Sequence, residues 1–163
     1  MKLLLKNILF TLVVPGSVGV YFPFALTRGL SAKAGLTVPI AFVLFAAAFA
    51  VYLWSVWGFG SRGQGTPFPT DAPKRLVIEG PYLYTRNPMY LALFCALIGW
   101  LLLFPTAGLL VYALAVAVAV RLFVVRYEEP HLEHEFGDEY KTYKVTVPRW
   151  LPAEPRPVLK KPP

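Results

Sequence analysis

The chain has 163 residues, of which 56% are hydrophobic and 15% charged, and its formal net charge is +7; an ordinary soluble domain is about 25% charged. Residues 7–27, 34–61 and 88–120 contain no Asp, Glu, Lys or Arg, and one bilayer crossing takes about 20 apolar helical residues. A soluble enzyme with a conventional core is excluded, and the positive charge is a topology signal before it is a nucleic-acid signal, so no nucleic-acid partner is expected.

The expected fold is an all-α integral membrane protein of about four transmembrane helices. Met1-Lys2-Leu3 to Lys6 is a basic start, and Ala32-Lys33-Ala34 imitates a leader cleavage site. The apolar run between them is too long for a leader, so it reads as a retained span, kinked at Pro15-Gly16 and Pro23. Span two covers about 36–59 and ends in Tyr52, Trp54 and Trp57, which suit an interfacial aromatic belt. Residues 1–59 thus form two helices and 60–87 a polar cytoplasmic loop. Residues 88–152 form a helical hairpin with short interfacial helices behind it, and 153–163 a disordered tail. Span three, 88–104, is about 25 Å long at 1.5 Å per residue, a bare crossing. Pro105 to Gly108 is a tight uncharged turn, and span four returns to about Val125. The single cysteine, Cys95, reads as packing.

Arg28 and Lys33 fall on one side of this arrangement; the other 14 of the 16 basic residues fall opposite. The positive-inside rule then puts both termini in the cytoplasm, and the expected location is a bacterial inner membrane. Two acids, Asp71 and Glu79, precede Tyr127, whereas residues 128–139 hold six.

Chemistry concentrates at two places. Asn87-Pro88 is a helix start, with Asn favoured at the N-cap and Pro at N1. The N–H groups of the first turn then offer an anion site beside Arg86. Arg121 is a charge inside a span, a functional candidate unless it merely snorkels. On a continuous helix Glu128, seven residues on, shares its face. Pro130 is expected to break that helix, to push Glu129 out of the helical region and to swing both glutamates over the hairpin. Leu132, Phe136, Tyr140 and Tyr143 make one apolar stripe, broken at Gly137. It is either a membrane-surface anchor or a lid. Two patterns are set aside. Gly58-Phe59-Gly60-Ser61-Arg62-Gly63 follows a membrane helix rather than a strand, so it is no dinucleotide fingerprint. Glu128-x-x-His131-x-x-His134 contains both histidines of the chain and too few ligands for a closed site, so no metal is expected.

Gly80-Pro81-Tyr82-Leu83-Tyr84-Thr85-Arg86-Asn87-Pro88-Met89-Tyr90 resembles the signature of the isoprenylcysteine carboxyl methyltransferase family, whose layout the phospholipid methyltransferases share. Glu128-Glu129-x-x-Leu132-x-x-x-Phe136-Gly137-x-x-Tyr140-x-x-Tyr143, then Val147-Pro148 and Leu151-Pro152, is similar to its second block. With Gly65-Thr66-Pro67, found in bacterial members, the resemblance covers roughly 65–152. It implies a membrane methyltransferase using S-adenosylmethionine, bound at the cytoplasmic end of the hairpin by Arg86, Asn87, Pro88, Tyr90, Glu128 and Glu129. Gly99 would match a glycine that permits close helix packing. Asn87 stands where eukaryotic relatives have a titratable His, and Ala92 where a Gly often follows.

The residues agree with that chemistry. The helix start suits the cofactor's carboxylate, and the glutamates its ammonium. Tyr82, Tyr84 or Trp57 suits the sulfonium through cation–π attraction. Glu128 can also take a proton from an acceptor, and Arg121 can hold an anionic one. The acceptor expected is lipid-like, a prenylcysteine-type carboxylate or a phospholipid amine. A non-catalytic membrane scaffold is the reading from another class. A transporter is disfavoured because 88–120 offers no polar path.

Overall fold

The computed structural model describes residues 2–58 and 75–154, with side chains from Ile8 onward. The loop motif Gly65-Thr66-Pro67 and the tail from residue 155 lie outside the described residues. All regular elements among the described residues are helical: α1 (Lys2–Gly16), α2 (Phe22–Thr27), α3 (Thr37–Gly58), α4 (Pro88–Leu103), α5 (Ala107–Phe123) and α6 (Glu129–Thr146). Three helical stretches are long and apolar enough to cross a membrane: Ile8–Thr27, Thr37–Gly58 and the one beginning at Ala107. α4, with 16 residues, is the short arm of the hairpin.

Prolines in the spans are absorbed without breaks. A π-helical turn, Ser17–Tyr21, joins α1 to α2 just ahead of Pro23. Proline has no N–H to give the carbonyl four residues back, which here belongs to Gly19; Trp100 Nε1 donates to it at 3.0 Å instead. The wide turn also moves the Phe22 N–H onto Ser17 O. That leaves the Val18 carbonyl to accept from the Tyr112 hydroxyl at 2.8 Å. The predicted kink at Pro23 is therefore a widened turn whose freed carbonyls pin the first span to α4 and α5.

α3 and α4 form the most extensive helix pair. Ala41, Ala48 and Ser55, seven residues apart on α3, are buried, as are Ala92 and Gly99 on α4. Small residues let apolar helices approach where no hydrophobic effect drives them together. A Cβ on Gly99 would come within 2.9 Å of the Phe45 ring, so the expected close packing is present. Phe45 meets Trp100 edge-on, centroids 5.7 Å apart. Thr106 Oγ1 caps α5 by accepting from the Leu109 N–H. The Lys33 N–H reaches the Leu103 carbonyl at 2.8 Å, which joins the first interhelical loop to the hairpin turn.

A second π-helical turn, Val124–Glu128, joins α5 to α6 ahead of Pro130. Glu129 was expected to leave the helical region, yet it keeps φ −63° and ψ −45°. The reason is that its N–H bonds back to Val124 O, and the widened turn relieves the proline ring's clash with the carbonyl behind it. α6 breaks where expected. Gly137 has φ 53° and ψ −123°, backbone open to glycine and to few other residues.

Candidate active site

Three stretches of chain converge at the start of α4. The first is a 3-10 turn, Gly80–Leu83, leading into the irregular residues 84–87. Gly80 has φ +59°, and a Cβ there would lie 2.8 Å from Trp54 Nε1, so only glycine lets this turn sit on the end of α3. The second is the junction of α5 and α6. The third is residues 147–153, which run back along 84–87. Arg86 N–H donates to Pro148 O at 2.9 Å and Ala153 N–H to Tyr84 O at 3.1 Å. The Thr85 hydroxyl lies 3.1 Å from both the Arg149 and the Trp150 carbonyls.

The apolar stripe of α6 turns toward protein. Tyr140, Tyr143 and Val147 form a buried cluster against Leu76, Ile78, Leu132 and Phe136, and the Tyr143 hydroxyl donates to Tyr82 O at 2.8 Å. Tyr140 and Tyr143 thus face protein. Lys144 reaches back across the Gly137 break to Glu133 at 2.9 Å.

Between these stretches lies a cavity of about 20 Å³ lined by Arg86, Asn87, Val124, Glu128, Glu129, Leu132, Tyr140 and Tyr143. Glu129 sits at its centre of charge. Arg86 Nη1 approaches Glu129 Oε1 at 2.7 Å. Arg149 adds a two-pronged fork, Nε to Oε1 at 2.7 Å and Nη2 to Oε2 at 2.8 Å. The side chains of Glu129 and Arg86 are 7% and 8% exposed, that of Arg149 30%. Arg86 Nε is buried and has no hydrogen-bond partner. Glu128 accepts from the Tyr90 hydroxyl at 2.8 Å. Burial holds the Glu128 carboxyl above its ordinary value; the Tyr90 bond opposes this and the Glu129 charge adds to it. Burial, reinforced by the Glu129 charge, pushes the Tyr140 hydroxyl up to about 12.

Six of the residues singled out from sequence meet here: Arg86, Asn87, Glu128 and Glu129 line the cavity, Tyr90 bonds to Glu128, and Pro88 is buried as the first residue of α4. Asn87 does so differently from expectation. Its side chain makes no cap bond; Nδ2 donates to Arg149 O at 3.0 Å. Tyr84 is brought near by its carbonyl, the residue itself being 40% exposed. Trp57 is exposed, and Tyr82 is buried without lining the cavity. Arg121 is exposed and does not line the cavity. The π turn supplies the reason. One extra residue in the turn makes seven positions act like six, which rotates Arg121 about 120° from the Glu128 face.

Arg149 is the member that sequence reading missed. Its partner lies 20 residues away, and the only signal was its place between Val147-Pro148 and Leu151-Pro152, in the second block of the resemblance. Tyr140 and Tyr143 belong to the stripe whose spacing suits an anchor or a lid, and the structure adds that both line the cavity.

The phospholipid methyltransferase family profile matches residues 36–139. The chain belongs to the phospholipid methyltransferase family. An uncharacterized protein of Haemophilus influenzae is 36% identical over 63 residues, which is 39% of this chain and the whole of that protein. No solved structure matches. The matched residues of this membrane methyltransferase family member run from the start of α3 through Glu128 and Glu129 into α6, so the match takes in Arg86, Asn87, Val124, Glu128, Glu129 and Leu132 of the cavity lining and ends just before Tyr140.

Proposed function

We propose that this protein transfers a methyl group from S-adenosylmethionine to a lipid-like acceptor at the cytoplasmic face of the membrane. The observation that carries the reading is the set of charges around the cavity. Arg86 presents a buried Nε without a partner, and Glu128 presents a carboxylate with one oxygen on Tyr90. A free amino acid end has one carboxylate and one ammonium, and these two side chains match them in sign. The cofactor, when bound, supplies an electrophilic methyl on sulfur. The protein's part is to orient and to exclude water: Arg86 and Glu128 hold the two charges, and Tyr140 and Tyr143 wall the cavity.

A prenylcysteine-type carboxylate is the first acceptor reading, supported by the two blocks that resemble the isoprenylcysteine carboxyl methyltransferases. Such an acceptor is already a nucleophile and needs no base. A phospholipid amine is the second reading. It is favoured by the family match and by Glu128, a carboxyl with a raised pKa at the cavity, suited to take the proton an ammonium must lose. Methyl-labelled cofactor with a membrane lipid extract tests the proposal. Label that alkali releases from the lipid fraction as volatile methanol marks a methyl ester, label that stays non-volatile after alkali marks an amine, and no label in the lipid fraction overturns the reading.

The cytoplasmic orientation rests on the distribution of basic residues and on the Lys33–Leu103 bond between the two segments assigned to the other side. Labelling of a cysteine placed at Lys141 should fail from outside intact cells; efficient outside labelling reverses the orientation.

A further inference from the structure

The cavity has room for about one water molecule, whereas sites for ligands of cofactor size run to several hundred Å³. The lining must therefore part for a nucleoside-sized ligand to enter. It comes from residues 86–87, the α5–α6 junction and α6. Residues 147–153 do not line the cavity; they run along 84–87, fastened there by a few bonds. We propose that Arg149 is a positioning residue of the methyl-transfer site, the latch that ties this segment to two cavity-lining residues, Glu129 and Asn87, and sets how ligand enters and leaves. The inference rests on the methyltransferase reading given above.

Arg149 is tied at both ends. Its guanidinium forks onto Glu129, while its carbonyl accepts from Thr85 and Asn87. Arg149 thereby bonds to both the glutamate and the 85–87 stretch. The burial pattern identifies it as the member that can let go. Arg86 and Glu129 are almost wholly buried and neutralise each other, whereas Arg149 is the more exposed third charge. Its release leaves a balanced inner pair, so opening avoids the strong penalty of stranding a single buried charge. Lysine cannot reproduce the fork, because an ammonium offers one point of attachment.

The test uses the full chain in nanodiscs with S-adenosylhomocysteine as probe, comparing wild type, Arg149→Gln, Arg149→Lys and the control Arg126→Gln, whose side chain is exposed. Hydrogen exchange without ligand should rise at least tenfold in peptides carrying the Arg86 and Ala153 amides, which bond across the segment. Exchange around Ala48 in α3 should stay unchanged. Dissociation of the probe should quicken at least tenfold in Arg149→Gln, with Arg149→Lys intermediate. KM for the cofactor should rise while kcat stays within twofold. The latch is overturned if the Arg86 and Ala153 amides exchange as in wild type, or if Ala48 rises equally, which marks general destabilisation. It is also overturned if Arg126→Gln has the same effect. Absence of probe binding to wild type overturns the methyltransferase reading instead, and the exchange comparison still decides whether Arg149 fastens the segment.

Discussion

Glu128 and Glu129 are neighbours with different work, and exchanging each for Gln should separate them. Glu129→Gln removes the anion between two guanidiniums. Breaking a buried ion pair costs about 3–5 kcal/mol, mostly from the charge left behind. Arg86, 8% exposed, would be that charge; Arg149, 30% exposed, can turn to water. The low end, about 3 kcal/mol, is therefore expected in equilibrium unfolding by SDS in mixed micelles. Glu128→Gln behaves oppositely. The amide oxygen can still accept from Tyr90, and the substitution removes a carboxylate whose ionisation burial disfavours. Its stability should stay within about 1 kcal/mol of wild type. Its loss should appear in binding. A hydrogen bond to a charged group is worth about 1.5–3 kcal/mol, so S-adenosylhomocysteine affinity should fall about ten- to a hundredfold by calorimetry. If Glu128→Gln unfolds as easily as Glu129→Gln while binding is spared, the division of labour is wrong.

Three further outcomes follow from the same geometry. Gly137→Ala forces a side chain into φ 53°, ψ −123° and should cost about 1–3 kcal/mol in the same unfolding assay, although nothing crowds the added methyl; an unchanged midpoint refutes the break. Probe affinity should fall on acidification while the pH is still above 4.5, because Glu128 titrates above that ordinary value and must be ionised to hold an ammonium. The stability contribution has the opposite sign, being lost as pH rises from 4.5 through the raised value, and Glu128→Gln should flatten both dependences. Asn87→Ala should cost about 1 kcal/mol through the lost bond to the Arg149 carbonyl. That substitution should also loosen the Ala153 amide in hydrogen exchange. A loss confined to the first turn of α4 would restore the capping role that the geometry denies.

What was legible from sequence follows the range of the interactions. Charge-free runs and lone glycines act within a few residues, so the spans, the short third arm and the Gly137 break could all be read in advance. The Asn87-Pro88 start was also legible, but the task of the Asn87 side chain was not. An Asn before a helix has two possible partners, the helix N–H groups and a passing strand of chain, and the second appears only once 147–153 has folded back. Arg149 was hidden for the same reason. Nothing near it in the chain announces a carboxylate, and the fork forms between residues 20 apart. Tyr140 and Tyr143 have the spacing of a membrane-facing stripe, which is also the spacing of a buried one. The choice rested on Leu76 and Ile78, which lie far away in sequence.

The two π turns show why helical periodicity failed at the place where chemistry was sought. Each ends two residues before a proline, at Pro23 and at Pro130. In each, the N–H just ahead of the proline reaches one residue further back than in an α-helix, to Ser17 or to Val124. The first turn lies within the span, where a bare carbonyl has no water to meet, and side chains of α4 and α5 supply the donors. The second comes where the apolar run ends, so it is free to serve geometry instead. By widening one turn it lets Val124, Glu128, Glu129 and Leu132 all line one cavity, whereas consecutive residues of an α-helix stand about 100° apart. The same extra residue carries Arg121 off that face. Pro130→Ala would restore an N–H and permit a regular α-helix. The expected consequence is a rotation of α6 that pulls Glu129 from Arg86. Probe binding should then be lost even though the local helix gains a hydrogen bond, and a variant that binds as wild type would show that the widened turn is incidental to the site.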